Sequence, residues 1–189
     1  MKESRKVHEA QEVNDYREML KMVEQKYSNN IAYKFKKNAN TPDEEYVNIT
    51  YKQFIEDIKA LSTGLLEFIK ERKKVALIGN NRYEWCMSYL AVTTGNMIVV
   101  PLDKALPEKE IETLIEQSEA ETIIFDKKYE DIMLKIKREN DNVDKLICMD
   151  DINNNEIENL SDILKQGKKL LESGDTRYEN IKINNKDIS

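Results

Sequence analysis

At 189 residues, 40% hydrophobic and 35% charged, the chain is long enough to close one sizeable core and has the make-up of a charge-rich globular domain. Its 36 acidic residues outnumber its 30 basic ones for a net charge of −6, with the signs mixed along the sequence, which argues against a dedicated nucleic-acid binder. No apolar run approaches the roughly 20 residues of a membrane-spanning helix, and the amino end MKESRKVHEAQEV has no apolar segment of the kind a secretory signal needs.

One domain is therefore expected over residues 13–189, behind a charged leader at 1–12 that should lack order, and the cytoplasm is the expected location. The two cysteines are far apart, Cys86 in a helical pattern and Cys148 in a strand pattern, and both read as small buried hydrophobes. The only histidine, His8, stands alone in the leader, so no metal site is expected.

Val13, Tyr16, Leu20, Val23 and Tyr27 recur every three or four residues and predict an amphipathic first helix. Ile31, Tyr33 and Phe35 then alternate with polar residues, and a second β-type run covers 46–49 beyond the polar link at 38–43, which together predict a hairpin. Thr50 and Gln53 have the spacing of a capping box, with Ile49 and Phe54 placed to staple it. Phe54, Ile55, Ile58, Leu61, Leu65, Leu66 and Ile69 form the wide apolar face of the helix behind that cap.

From Lys74 to Asp126 short apolar blocks alternate with helix-period segments, a βαβαβ pattern. Its strands are predicted at 75–78, 97–100 and 122–125, each apolar enough to be buried on both faces of a parallel sheet. Between the first two, Asn81 is the expected amino-terminal cap of a helix that Gly95 ends. Trp85, Met87, Tyr89, Leu90 and Val92 leave that helix little polar surface, so it should be enclosed. Trp85 and Tyr89 read as core rather than as a binding pair.

Pro107 should open the next helix, with Glu108 and Glu110 in its first turn and Ile111, Leu114 and Ile115 as its buried stripe. A further helix at 129–138 and a fourth strand at 145–149 continue the alternation. Residues 150–158 are acidic and asparagine-rich and read as a solvated loop. The last helix carries Leu160, Ile163, Leu164, Gly167 and Leu171 along its stripe and should stop at Gly174. The expected fold is thus α/β: a mainly parallel sheet with helices on both faces, plus an amino-terminal helix and a β-hairpin.

Strands followed by helices suggest a ligand at the carboxyl edge of the sheet. The turn after the first of these strands, Gly79 to Glu84, has one glycine, so a G-x-G-x-x-G dinucleotide fingerprint is missing, as is a G-x-x-x-x-G-K phosphate loop. No serine or cysteine can pair with a histidine outside the leader, and no carboxylate stands out from the many on helix faces. No catalytic residue is assigned.

Five phrases stand out in order: Ile49-Thr50-Tyr51-Lys52-Gln53, Val75-Ala76-Leu77-Ile78-Gly79, Asn81-Arg82-Tyr83-Glu84-Trp85, Val100-Pro101-Leu102-Asp103 and Leu106-Pro107-Glu108. In that order and spacing the sequence resembles the amino-terminal region of an AMP-forming acyl-CoA synthetase, most closely the long-chain fatty-acid branch, from about residue 13 to the end. The resemblance implies an intact enzyme that uses ATP, Mg2+ and CoA, forms an acyl-adenylate from a fatty acid, and passes the acyl group to the CoA thiol. It also implies that this chain stops before the Ser/Thr/Gly-rich phosphate loop and the lysine-bearing carboxyl-terminal domain, and so supplies scaffold, binds no cofactor alone, and has the missing remainder as its partner.

Two further expectations follow from the resemblance. The fragment should self-associate, and the intact protein should sit in the cytoplasm or peripherally on the inner face of the membrane. Lys104, Lys127 and Lys128 fall just past the carboxyl ends of strands, and the loop at 102–107 in related synthetases lies near the nucleotide of CoA, so these three are the candidate CoA-nucleotide residues. The plainer reading is that they are solvated loop charges. A stand-alone α/β binding or interaction module without catalysis is the alternative for the chain as a whole.

Overall fold

The computed structural model describes residues 12–36 and 45–184; His8, the link at 38–43, Ile188 and Ser189 lie outside the described residues. Helix α1 (Tyr16–Tyr27) begins where Asp15 Oδ1 accepts the Glu18 amide at 2.8 Å, three residues later than the apolar stripe alone suggests. Strands β1 (Ile31–Lys36) and β2 (Tyr46–Thr50) pair antiparallel as the expected hairpin.

Helix α2 (Tyr51–Leu65) starts on the expected capping box: Thr50 Oγ1 accepts the Gln53 amide at 3.2 Å, and Gln53 Oε1 accepts the Thr50 amide at 2.9 Å. The helix stops earlier than its apolar face, because turns close over Glu67, Phe68 and Ile69. Ile69 nonetheless reaches the core from its turn, at 5% exposure.

The remaining elements alternate as the sequence predicts. Strand β3 (Lys74–Ile78) leads to helix α3 (Tyr83–Thr94), β4 (Ile98–Leu102) to α4 (Glu108–Ser118), and β5 (Thr122–Phe125) through a 3-10 turn at Lys127–Tyr129 to α5 (Glu130–Glu139). Strand β6 (Lys145–Cys148) is followed by a two-residue strand β7 (Glu158–Asn159), then α6 (Leu160–Glu172) and the short α7 (Arg177–Asn180). Strand β7 begins at Glu158, the last residue of the stretch read as a solvated loop. Its side chains are polar, and it joins the sheet through its backbone, with Ile147 opposite Glu158 and Cys148 opposite Asn159.

The five-stranded sheet has the order β4-β3-β5-β6-β7 and every pair in it is parallel. Period-two alternation divides the core between its faces. Val75, Leu77, Ile124 and Ile147 pack with α2, α3 and α6 on one side, while Ala76, Ile78, Ile123, Phe125 and Leu146 pack with α4 and α5 on the other. Burying each large aliphatic side chain there contributes about 1.5–3 kcal/mol. Helices α2 and α6 cross tightly at Gly64 and Gly167, where a Cβ would run into the facing backbone. Gly167 therefore belongs to the stripe because nothing larger fits.

Several expectations need correction. Arg82, not Asn81, stands at the cap position of α3; its backbone is extended (φ −143°) and no side chain caps the helix. Arg82 is held there by Glu84 in the first turn of α3 and by Asp126 and Asp150 on two other segments. Pro107 precedes α4 as its cap residue instead of opening the helix. Leu114 is 37% exposed, because the packed side of α4 is spanned by Ile111 and Ile115 alone. Helix α3 is enclosed as expected: no residue of it is exposed, its last turn from Ala91 to Thr94 is buried all round, and Trp85 and Tyr89 pack half-buried against the core, stacked on one another at 5.6 Å.

Arg17 of α1 ties the ends of the described chain together. Its Nε donates to the Thr94 carbonyl at 2.7 Å, its Nη1 to the Ile181 carbonyl at 3.1 Å, and its guanidinium lies 4.1 Å from the centre of the Tyr178 ring.

Candidate functional site at the carboxyl edge

The chain leaves β3 for β4 on one side and returns to β5 on the other, with α3 and α4 on opposite faces of the sheet. A reversal of this kind opens a crevice at the carboxyl ends of the strands, where parallel sheets bind ligands. The loops after β3, β4, β5 and β6 meet there, and they bring together Asn80, Arg82, Lys104, Asp126, Lys127, Lys128 and Asp150.

Asp126 is the most deeply placed of these, at 4% exposure. Its Oδ2 accepts the Asn80 amide at 2.6 Å and Asn80 Nδ2 at 2.9 Å, and its Oδ1 faces Arg82 Nη1 at 3.5 Å. A buried carboxylate is costly unless it is paired and hydrogen-bonded, and these contacts meet that requirement. Gly79 makes room for it, since a Cβ at that position would stand 3.0 Å from the carboxylate and 2.6 Å from Met149 Cε.

Arg82 bridges the cluster. Its Nη1 donates to Asp150 Oδ1 at 2.7 Å and its Nε to Glu84 Oε2 at 2.6 Å. Asp150 Oδ2 in turn accepts the Lys127 amide at 2.9 Å. Partial burial pushes the Asp150 carboxyl up, but the Lys127 amide and the Arg82 guanidinium outweigh it and hold the group below the usual carboxylate range. Tyr83, next in the chain, donates its hydroxyl to Asp57 Oδ2 at 2.8 Å, and Lys168 Nζ meets the other oxygen of Asp57 at 2.7 Å, so the start of α3 is tied to α2 and α6. Burial, followed by the Asp57 contact, pushes the Tyr83 hydroxyl well above its ordinary range.

The three sequence-predicted lysines are all exposed at this edge. Lys104 Nζ donates to Asn80 Oδ1 at 3.2 Å, and the Lys104 carbonyl accepts the Tyr129 hydroxyl at 2.9 Å. Lys128 Nζ lies 4.5 Å from the centre of the same Tyr129 ring. Tyr129 thus draws Lys104 and Lys128 to one place, while Lys127 is anchored by its backbone to Asp150 on the other side. Sequence reading missed Asn80, Arg82, Asp126 and Asp150. Their one available signal was position, each lying within a few residues of a strand's carboxyl end.

This edge offers cations beside neutral acceptors and holds its carboxylates in closed contacts. That arrangement can receive an anion; it presents no nucleophile. Burial pushes the Cys148 thiol up to about 11, so it is neutral at physiological pH. Among the described residues no group of three or more His, Cys, Asp or Glu side chains is arranged to hold a metal ion.

Comparison with known proteins gives a consistent set of likenesses. The family model described as "AMP-binding enzyme" matches residues 20–186. The chain is 29% identical over 96 residues to long-chain-fatty-acid–CoA ligase 6 of Rattus norvegicus, a match that takes in 49% of this chain and 14% of that protein. A long-chain-fatty-acid-CoA ligase from Archaeoglobus fulgidus superposes with a TM-score of 0.65 at 17% identity, covering 78% of this chain and 29% of that one. The A-PCP didomain of a carboxylic acid reductase from Segniliparus rugosus, solved in complex with AMP, superposes with a TM-score of 0.70 at 12% identity, covering 84% and 27%. At these identities the solved structures speak for the fold alone, and the chain spans a small part of each relative's length.

Proposed function

Because the chain belongs to the family of AMP-binding enzymes, we propose that it is the amino-terminal part of an AMP-forming ligase that activates long-chain fatty acids and transfers them to CoA. The observation that carries this reading is the family match over residues 20–186 joined to the likeness to a long-chain-fatty-acid–CoA ligase. The intact enzyme converts a fatty carboxylate and ATP, with Mg2+, into acyl-adenylate and pyrophosphate, and then forms the thioester with CoA. This chain supplies the scaffold and one edge of the CoA site; the catalytic machinery and the phosphate loop belong to the remainder.

At that edge the chemistry asked of this chain is binding. Lys104 and Lys128 face phosphates of the CoA nucleotide as point charges, with Lys127 beside them. The fit is supported by the partners these lysines have: an amide oxygen for Lys104 and an aromatic ring for Lys128 leave their charges uncancelled. Such contacts act alike on bound substrate and transition state, so they lower the Michaelis constant without speeding chemistry.

No helix among the described residues is long and apolar enough to cross a membrane, and the cytoplasm, including peripheral attachment to the inner membrane face, is the location this reading carries. Self-association of the 189-residue chain belongs to the same reading, since β4 and β7 form the outer strands of the sheet. Light scattering that shows a strict monomer at high concentration would count against it.

The test of the CoA assignment is Lys104→Ala in the intact ligase. The Michaelis constant for CoA should rise about twofold to fivefold, the scale of an exposed charge contact, while fatty-acid-dependent pyrophosphate exchange stays level. An unchanged CoA constant, or lost exchange, removes Lys104 from the CoA site.

A further inference from the structure

The wiring of the carboxyl edge converges on one carboxylate. We propose that Asp126 is the positioning residue of this edge, setting the turn after β3 and, through Asn80, the place of the Lys104 amine; the ligand side of the proposal rests on the CoA reading above.

The argument runs through the Asn80 amide. A carboxylate can only accept hydrogen bonds, so the two groups that Asn80 turns toward Asp126 Oδ2 must both be donors: its backbone N–H at 2.6 Å and its Nδ2 at 2.9 Å. With Nδ2 committed inward, Oδ1 faces outward, and there it accepts from Lys104 Nζ at 3.2 Å. Asp126 therefore decides which end of the amide meets the lysine. With no acceptor at position 126, as in Asp126→Ala, that constraint is lost. The Asn80 side chain can then turn its NH2 toward the ammonium of Lys104, and a donor facing a donor drives the two apart.

Three further observations fit a residue placed to orient its neighbours. The Asp126 side chain is 5% exposed and reaches no solvent-borne ligand itself. The Asp126 amide donates to the Ile78 carbonyl at 3.2 Å, which fixes the backbone of the two turns against each other. The carboxylate also stands so close to Gly79 that any side chain there would displace it.

The intact ligase, with this 189-residue chain labelled with nitrogen-15 within it, supports the test. The probe is adenosine 3′,5′-bisphosphate, which carries the phosphate chemistry of the CoA nucleotide. In the wild-type chain the Asn80 side-chain amide should give a separate, slowly exchanging pair of signals, and the probe should shift the Asn80 and Lys104 signals. Asp126→Ala, which leaves no acceptor for the Asn80 donors, should release that amide pair and weaken the bisphosphate dissociation constant about twofold to fivefold, the loss expected for one exposed charge contact. Asn80→Ala removes the relay at an exposed position and keeps the measurement open should the buried variant fold poorly; it should weaken binding equally. The double variant should bind no worse than either single one, since both cut the same relay.

A variant Asp126→Ala that melts earlier yet leaves the Asn80 and Lys104 signals and the dissociation constant unchanged overturns the proposal. So does an Asn80→Ala chain that binds like the wild type. Failure of the wild-type chain to respond to the bisphosphate overturns the CoA reading and the ligand side of the proposal with it, and is visible before any variant is made.

Discussion

Gly167 of α6 lies so close to Ala60 of α2 that a Cβ on the glycine would stand 1.7 Å from the Ala60 carbonyl oxygen. No rotamer change can relieve that contact, because the obstructing atom is backbone. Gly167→Ala should therefore push α6 away from α2 and destabilise the chain by about 3 kcal/mol, the upper end of ordinary overpacking costs. Thermal or urea melts measure it. A loss under about 0.5 kcal/mol would mean that the two helices do not cross where the structure places them.

A smaller loss is expected at the other end of α2. Thr50→Ala removes the hydroxyl that accepts the Gln53 amide, leaving one first-turn donor without its cap. About 1 kcal/mol should go, with Thr50→Ser close to wild type, as urea midpoints at constant slope would report. Equal losses for Ala and Ser would point to the methyl group and its packing instead of the cap.

The carboxyl edge predicts a pH dependence with a definite sign. The Asp150 carboxyl titrates lower in the folded chain than when unfolded, because the Lys127 amide and Arg82 outweigh partial burial. Its contribution is thus fully present above the unfolded value of about 3.9 and is lost as pH falls through the folded one. Asp150→Asn should cost a few tenths of a kcal/mol to about 1 kcal/mol near pH 7 after allowance for solvent screening, and the gap from wild type should close below about pH 4. A gap that widens on acidification would reverse the assignment of the charged form as the favoured one.

Much of this architecture is legible in the sequence because its signals are periodic. Val75 to Ile78 and Ile123 to Phe125 are apolar at every position, as strands covered on both faces must be, and both pair within the sheet. Thr50 and Gln53 state the start of α2 in two residues. What escaped reading depends on contacts distant in the chain. Glu158 and Asn159 join the sheet by backbone alone, and the Asn159 side chain closes on Ile152, accepting its amide at 3.0 Å and donating to its carbonyl at 3.1 Å. Nothing in two polar residues after an asparagine-rich stretch announces that.

The candidate site divides the same way. Lys104, Lys127 and Lys128 could be found by counting past the strands. Asp126 looks like any loop acid until Asn80, 46 positions earlier in the chain, is seen to hold it. Arg82 reads as a helix-flanking charge, and Asn81 as the better cap, until Asp150 is brought alongside 68 positions later.

The central claim, that this chain is part of a fatty-acid-activating enzyme, is tested most directly by fatty-acid-dependent exchange of labelled pyrophosphate into ATP, measured in parallel on the 189-residue chain and on a protein in which it is joined to a phosphate loop and carboxyl-terminal domain of the same family. The joined protein should exchange label with a long-chain fatty acid and fall to background without one, and the chain alone should stay at background throughout. Exchange by the chain alone would contradict the division of roles, and no exchange from a folded joined protein with any fatty acid would contradict the claim itself.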